Sequence, residues 1–209
     1  SGDPGTASYS GSARLWQGPT SFEGDLLEID NVTGGLTASG TVRTAIQLIR
    51  LNEDTQNNEV TLTRGEADRF EYDDGAKHAA YTGNAVLRSQ LGDLKAAAIN
   101  VFLKPDGRTL DRLEANGGVQ LQLDDRWATG ESMTYQEAEG RYEMEGSPVE
   151  MVEQIEVEEP ETNVPGRATP PPQDCRSTQG QALTFFRSDD TIIVDGRERL
   201  RTETNNDDC

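Results

Sequence analysis

Apolar and polar residues alternate along most of this chain, and the alternation breaks at short clusters of Asp, Gly, Asn and Pro. Between 130 and 146, Gly130, Met133 and Tyr135 fall on an extended run, Gln136-Glu137-Ala138-Glu139-Gly140 is a polar turn, and Tyr142, Met144 and Gly146 alternate outwards. A period of two rather than 3.6 predicts a β-hairpin with one apolar and one wet face. Further turns are predicted at Asp73-Asp74-Gly75, at Lys104-Pro105-Asp106-Gly107 and at Arg187-Ser188-Asp189-Asp190, where the residue types suit a reversal of the chain.

The hairpins share a ruler: an apolar or aromatic residue, ten further residues, then a glycine. It runs from Ile29 to Gly40, Tyr72 to Gly83, Tyr135 to Gly146 and Phe185 to Gly196. Five positions before each start lies a small residue followed by a polar one, at Gly24-Asp25, Ala67-Asp68, Gly130-Glu131 and Gly180-Gln181. A fifth, stretched unit runs from Gly92 to Gly117, and Tyr-x-Gly-x-Ala-x-Leu occurs twice, at Tyr9–Leu15 and Tyr81–Leu87. A fixed internal period predicts stacked copies of one supersecondary unit, here an all-β stack of repeated antiparallel hairpins.

With Ile29, Tyr72, Tyr135 and Phe185 pointing inwards, one face collects Leu27, Leu36, Val42, Leu87, Ile99, Val101, Leu113, Val119, Leu121, Met133, Met144, Leu183, Ile192 and Val194. Such a face is either a solid core or an apolar trough that takes acyl chains. Ala96, Ala98, Ala115 and the ruler glycines would leave room for a ligand or, equally, allow close sheet packing.

The 209 residues are 33% hydrophobic, a modest share that alternating strands tolerate because half of each strand can be polar. A formal charge of −19 opposes nucleic-acid binding, since phosphates would be repelled. No run of about 18 apolar residues marks a membrane span, and the start at Ser1-Gly2-Asp3 reads as a processed one. Residues 156–174, with Glu-Val-Glu-Glu-Pro-Glu and Pro170-Pro171-Pro172, read as an acidic, proline-rich insertion or linker. It divides 1–155 from 175–209, the final hairpin of the same stack and a tail. Cys175 and Cys209 are compatible with one disulfide or with two free thiols.

Candidate chemistry is sparse. His78 is the sole histidine and sits on a predicted turn, and Asp73-Asp74, Asp124-Asp125 and Asp189-Asp190 are ordinary turn residue types. Neither a metal cluster nor a phosphate-cradling glycine loop is present in the spacing.

The recurring Gly-Asp/Glu followed by an inward Tyr, together with Leu113-Glu-Ala-Asn-Gly-Gly-Val119 and Tyr81-Thr-Gly-Asn-Ala-Val-Leu87, resembles the OstA-like family of lipopolysaccharide-transport proteins: LptA, LptC and the periplasmic domain of LptD. The resemblance is nearest to LptA and covers roughly residues 9–154 and 176–204. It implies a twisted, partly open β-jellyroll, or β-taco, whose inward face holds the acyl chains of lipid A. It further implies a periplasmic bridge from inner to outer membrane, end-to-end strand pairing with other Lpt-type jellyrolls or with itself, no cofactor and no catalytic step. Headgroup phosphates would then fall to the few basic residues, such as Arg14, Arg43, Arg88 and Lys95. Two other readings compete: a closed-core structural or adhesive module that meets protein or cation through its acidic face, and a polysaccharide-acting enzyme using Asp93 and Asp124.

Overall fold

A computed structural model describes residues 5–51, 57–90, 92–123, 126–156, 173–187, 192–195 and 199–203. The strands are β1 (Thr6–Gln17), β2 (Thr20–Asp30), β3 (Leu36–Leu51), β4 (Asn58–Asp73), β5 (His78–Ser89), β6 (Gly92–Leu103), β7 (Leu110–Gln122), β8 (Arg126–Gln136), β9 (Arg141–Glu156), β10 (Gln173–Phe186), β11 (Ile192–Asp195) and β12 (Arg199–Glu203). β1 to β11 pair in chain order within one sheet, and β12 pairs with β10. Every ladder between these strands is antiparallel. Among the described residues β1 does not pair with β11 or β12, so the sheet stays open. Turns at 74–77, 105–106 and 137–140 fall where the polar clusters placed them.

The sheet is creased. Each ladder from β1–β2 to β9–β10 slips register near its middle, as at Glu23/Leu26, Ser39/Val42, Glu66/Arg69, Thr82/Ala85, Asn116/Val119 and Gly180/Ala182. A bulge bends its strand and raises the local twist, and bulges lined up on successive strands fold the whole sheet along one line. The crease explains the ruler. Gly40 and Gly83 sit in it with φ of 88° and 79°, a left-handed conformation that glycine adopts without a Cβ penalty. A Cβ on either would run into the carboxylate of Asp25 or Asp68 on the preceding strand. The small-polar pair and the glycine sixteen residues later are therefore two sides of one crossing. Asp25 and Asp68 are exposed, so these glycines shape the outer crease and leave no space inside. Gly196 lies outside the described residues.

Hairpin connections put alternate turns on two rims, and the crease brings the rims together. The Ile49 amide on β3 donates to the Arg108 carbonyl at 2.8 Å, and Ile49 bridges Thr109 in parallel. Between the two walls lies one apolar core in which Phe70, Ile99, Ala115, Met144, Val149, Met151 and Leu183 are fully buried. β10 pairs with β9 from Gln173↔Glu156 to Phe186↔Arg141, so the C-terminal hairpin continues the same sheet. Cys175 on β10 is disulfide-bonded; Cys209 lies outside the described residues.

Candidate functional site

Among the described residues the larger space lies in the N-terminal half of the interior and a smaller one further along it. Between β1 and β6 lies a cavity of about 590 Å³ whose lining includes Phe22, Ile46, Leu48, Phe70, Tyr72, Ala79, Tyr81, Leu87, Val101 and Leu103. Its rims are Gln17-Gly18-Pro19-Thr20 on one side and Gly107-Arg108 on the other. Gly18, Pro19 and Arg108 are exposed, so the chamber reaches solvent between the β1–β2 and β6–β7 turns.

Aromatic rings form much of the wall. Phe22 and Phe70 have centroids 5.4 Å apart, and Phe70 and Tyr81 4.9 Å. The Tyr81 hydroxyl shares a 2.8 Å hydrogen bond with the Thr44 hydroxyl, so its polar end is satisfied and the ring presents only carbon. Burial pushes the Tyr81 phenol up. Tyr72 is pushed up to about 12, first by burial and then by the hydrogen bond it donates to Asp74 at 3.1 Å. Both phenols are neutral at physiological pH.

Past Leu48, Thr63 and Leu87 the interior narrows to a hollow of about 70 Å³ lined by Leu94, Leu110, Leu113, Leu121, Leu123, Met133, Tyr135 and Tyr142, with Arg50, Ser89 and Asp93 also in its wall. Packed rings fill the space beyond, with Tyr135–Tyr142 tilted at 4.4 Å and Tyr142–Phe185 stacked at 4.8 Å. There the mouth is tied shut by polar contacts. Arg50 of β3 donates to Glu137 Oε2 at 3.0 Å and to the Tyr135 hydroxyl at 2.7 Å, and Tyr135 donates to Glu137 at 2.9 Å. Arg187 donates to Tyr135 at 2.8 Å, and Arg126 reaches the Phe186 carbonyl at 3.5 Å.

All eighteen inward residues of the sequence reading are buried or packed against the core. Of these only Tyr72, Leu87 and Val101 line the chamber, and Leu87, Leu113, Leu121, Met133 and Tyr135 line the hollow. Leu27, Ile29, Leu36, Val42, Ile99, Val119, Met144, Leu183, Phe185, Ile192 and Val194 line neither. Phe22, Ile46, Leu48 and Phe70, which do line the chamber, were missed. Thr44, Ile46, Leu48 and Arg50 share the parity that would have found Ile46 and Leu48, but the ruler stops short of that end of β3.

The basic residues named for headgroups lie elsewhere. Arg14 pairs with Glu23 at 3.0 Å and Arg88 with Glu66 at 2.9 Å on the solvated face, while Arg108 stands at the chamber rim. His78 bonds Asn100 at 2.9 Å and stacks on Phe102 at 4.6 Å. Asp73 accepts the Ala76 amide at 3.0 Å within its turn. Among the described residues no cluster of His, Cys, Asp or Glu could hold a metal ion, and no helix is long and apolar enough to cross a membrane.

An open, creased, all-antiparallel sheet with an apolar interior is the class of protein these features define. Residues 66–164 match the family described as the LptA/(LptD N-terminal domain) LPS transport protein. Among solved structures, LptH of Pseudomonas aeruginosa, the LptA homologous periplasmic component of the lipopolysaccharide transport device, is 14% identical with a TM-score of 0.49, over 68% of this chain and 94% of that one. No curated protein matches by sequence. β1 to β3, which contribute Phe22, Ile46 and Leu48 to the chamber, lie outside the family match.

Proposed function

We propose that the protein is a non-catalytic periplasmic carrier that holds the acyl chains of lipopolysaccharide in its chamber and passes the lipid from the inner towards the outer membrane. The observation that carries this reading is the 590 Å³ chamber, whose aliphatic and aromatic wall is interrupted by Gln17, Thr20, Gln47, Thr63 and Arg108. Burial there stabilises an acyl chain by about 0.8 kcal/mol per methylene, so no reaction is needed for binding.

Docking to other jellyrolls, or to a second copy, uses the sheet's free edges. Tyr9, Leu15 and Trp16 on β1 are 54%, 37% and 68% exposed, and Ile193 on β11 is 53% exposed. Unpaired edges carrying apolar side chains favour strand addition by a partner.

Photocrosslinking tests the carrier reading. Lipopolysaccharide should label probes at Tyr72 and Val101 and leave the exposed Glu131 unlabelled; equal labelling would defeat the reading. The packed C-terminal half favours a second reading, a closed scaffold, which would be selected if the protein purified from its native host retains no lipid.

A further inference from the structure

We infer that Leu48, Thr63 and Leu87 form a septum that makes the chamber a blind pocket and sets how long an acyl tail it accepts. These three residues line both the 590 Å³ chamber and the 70 Å³ hollow, so they stand between the two spaces. Leu48 and Leu87 are 6% and 5% exposed, each packed from several sides.

Beyond the septum the two rims are tied to each other across the cleft, at Ile49 and Arg108 and then at Arg50 and Glu137, and the packed rings of Tyr135, Tyr142 and Phe185 close the far end. The hollow behind the septum is lined mainly by leucines, with Arg50, Ser89 and Asp93 at its polar edge. A tail entering between the β1–β2 and β6–β7 turns therefore runs inwards along Phe70, Tyr81 and Val101 and stops at Leu48 and Leu87. Removing one septum side chain joins the hollow to the chamber and lengthens the pocket.

This inference rests on the acyl-binding reading, and one experiment separates them. Displacement of a fluorescent fatty acid by a homologous series of saturated fatty acids should show affinity rising about fourfold per added methylene, then levelling at a break. In Leu48→Ala the break should move to longer tails. In Leu48→Ala/Leu113→Phe, where the hollow is refilled, it should return. Leu87→Ala provides the same test should the first variant fold poorly. A break that stays in place in whichever of these variants folds overturns the septum while leaving acyl binding intact; no displacement by any tail in the wild type overturns both.

Discussion

The guanidinium of Arg50 and the carboxylate of Glu137 meet at 2.9 Å with their side chains 8% and 2% exposed, although 87 residues separate them. One lies near the end of β3 and the other in the β8–β9 turn, so the pair exists only because the crease brings the two rims together. Tyr135 sits within the pair, accepting from Arg50 and Arg187 and donating to Glu137. The contact is at once a record of the fold and the tie that holds its C-terminal half shut.

Removing the carboxylate should be costly. Glu137→Ala leaves the Arg50 charge buried without its partner, a loss on the order of 3–5 kcal/mol, read as a lower midpoint in urea denaturation. Arg50→Met/Glu137→Leu should recover most of that loss, because a well-packed apolar pair carries no desolvation penalty.

Tyrosine ionisation should track alkaline unfolding. Burial holds Tyr81 and Tyr135 protonated well beyond the usual phenol range, and Tyr72 titrates only at about 12. A raised folded pKa means the native state keeps protons that the unfolded state releases above about pH 10. The stabilisation is therefore whole below that pH and is lost as pH rises towards 12. Phenolate absorbance at these tyrosines, isolated by Tyr→Phe variants, should rise together with loss of native circular dichroism rather than before it.

Asp106 controls the chamber's outer turn. It accepts the Arg108 and Thr109 amides at 2.9 and 2.8 Å and the Thr109 hydroxyl at 2.5 Å, and these bonds, led by the hydroxyl, hold its carboxyl at about 2. A lowered folded pKa gives stabilisation present above the unfolded value, about 3.9, and lost as pH falls through 2. Carboxyl NMR should show Asp106 titrating at about 2, and Asp106→Ala should raise hydrogen exchange at Arg108 and Thr109.

The crease crossing makes a paired prediction. Gly83→Ala should destabilise by about 1–3 kcal/mol, from left-handed backbone strain and collision with Asp68. Asp68→Gly should return only the collision part, so thermal denaturation of the two single variants and the double variant should show non-additivity, as expected of residues in contact.

Much of the architecture was legible because strand alternation and turn chemistry are local. Met133 and Tyr135 followed by a polar turn and then Tyr142 and Met144 identify a hairpin without knowledge of its neighbours. The ruler from Gly24-Asp25 to Gly40 was visible as a spacing, but its cause was not, because the Asp25–Gly40 crossing is made between neighbouring strands. The inward face was readable by parity, yet parity cannot distinguish Ile99, fully buried and lining neither the chamber nor the hollow, from Val101, which lines the chamber.

What the sequence by itself determined was the positions of the hairpins, the inward parity along the repeated spans, and a spacing that recurs from one unit to the next, because each depends on neighbours a few positions away. Only the tertiary structure decided where the interior is empty. Whether Leu48 and Leu87 line one space, or Arg50 meets Glu137, depends on how far the creased sheet closes, and that is set by the summed packing of two walls built from distant parts of the chain.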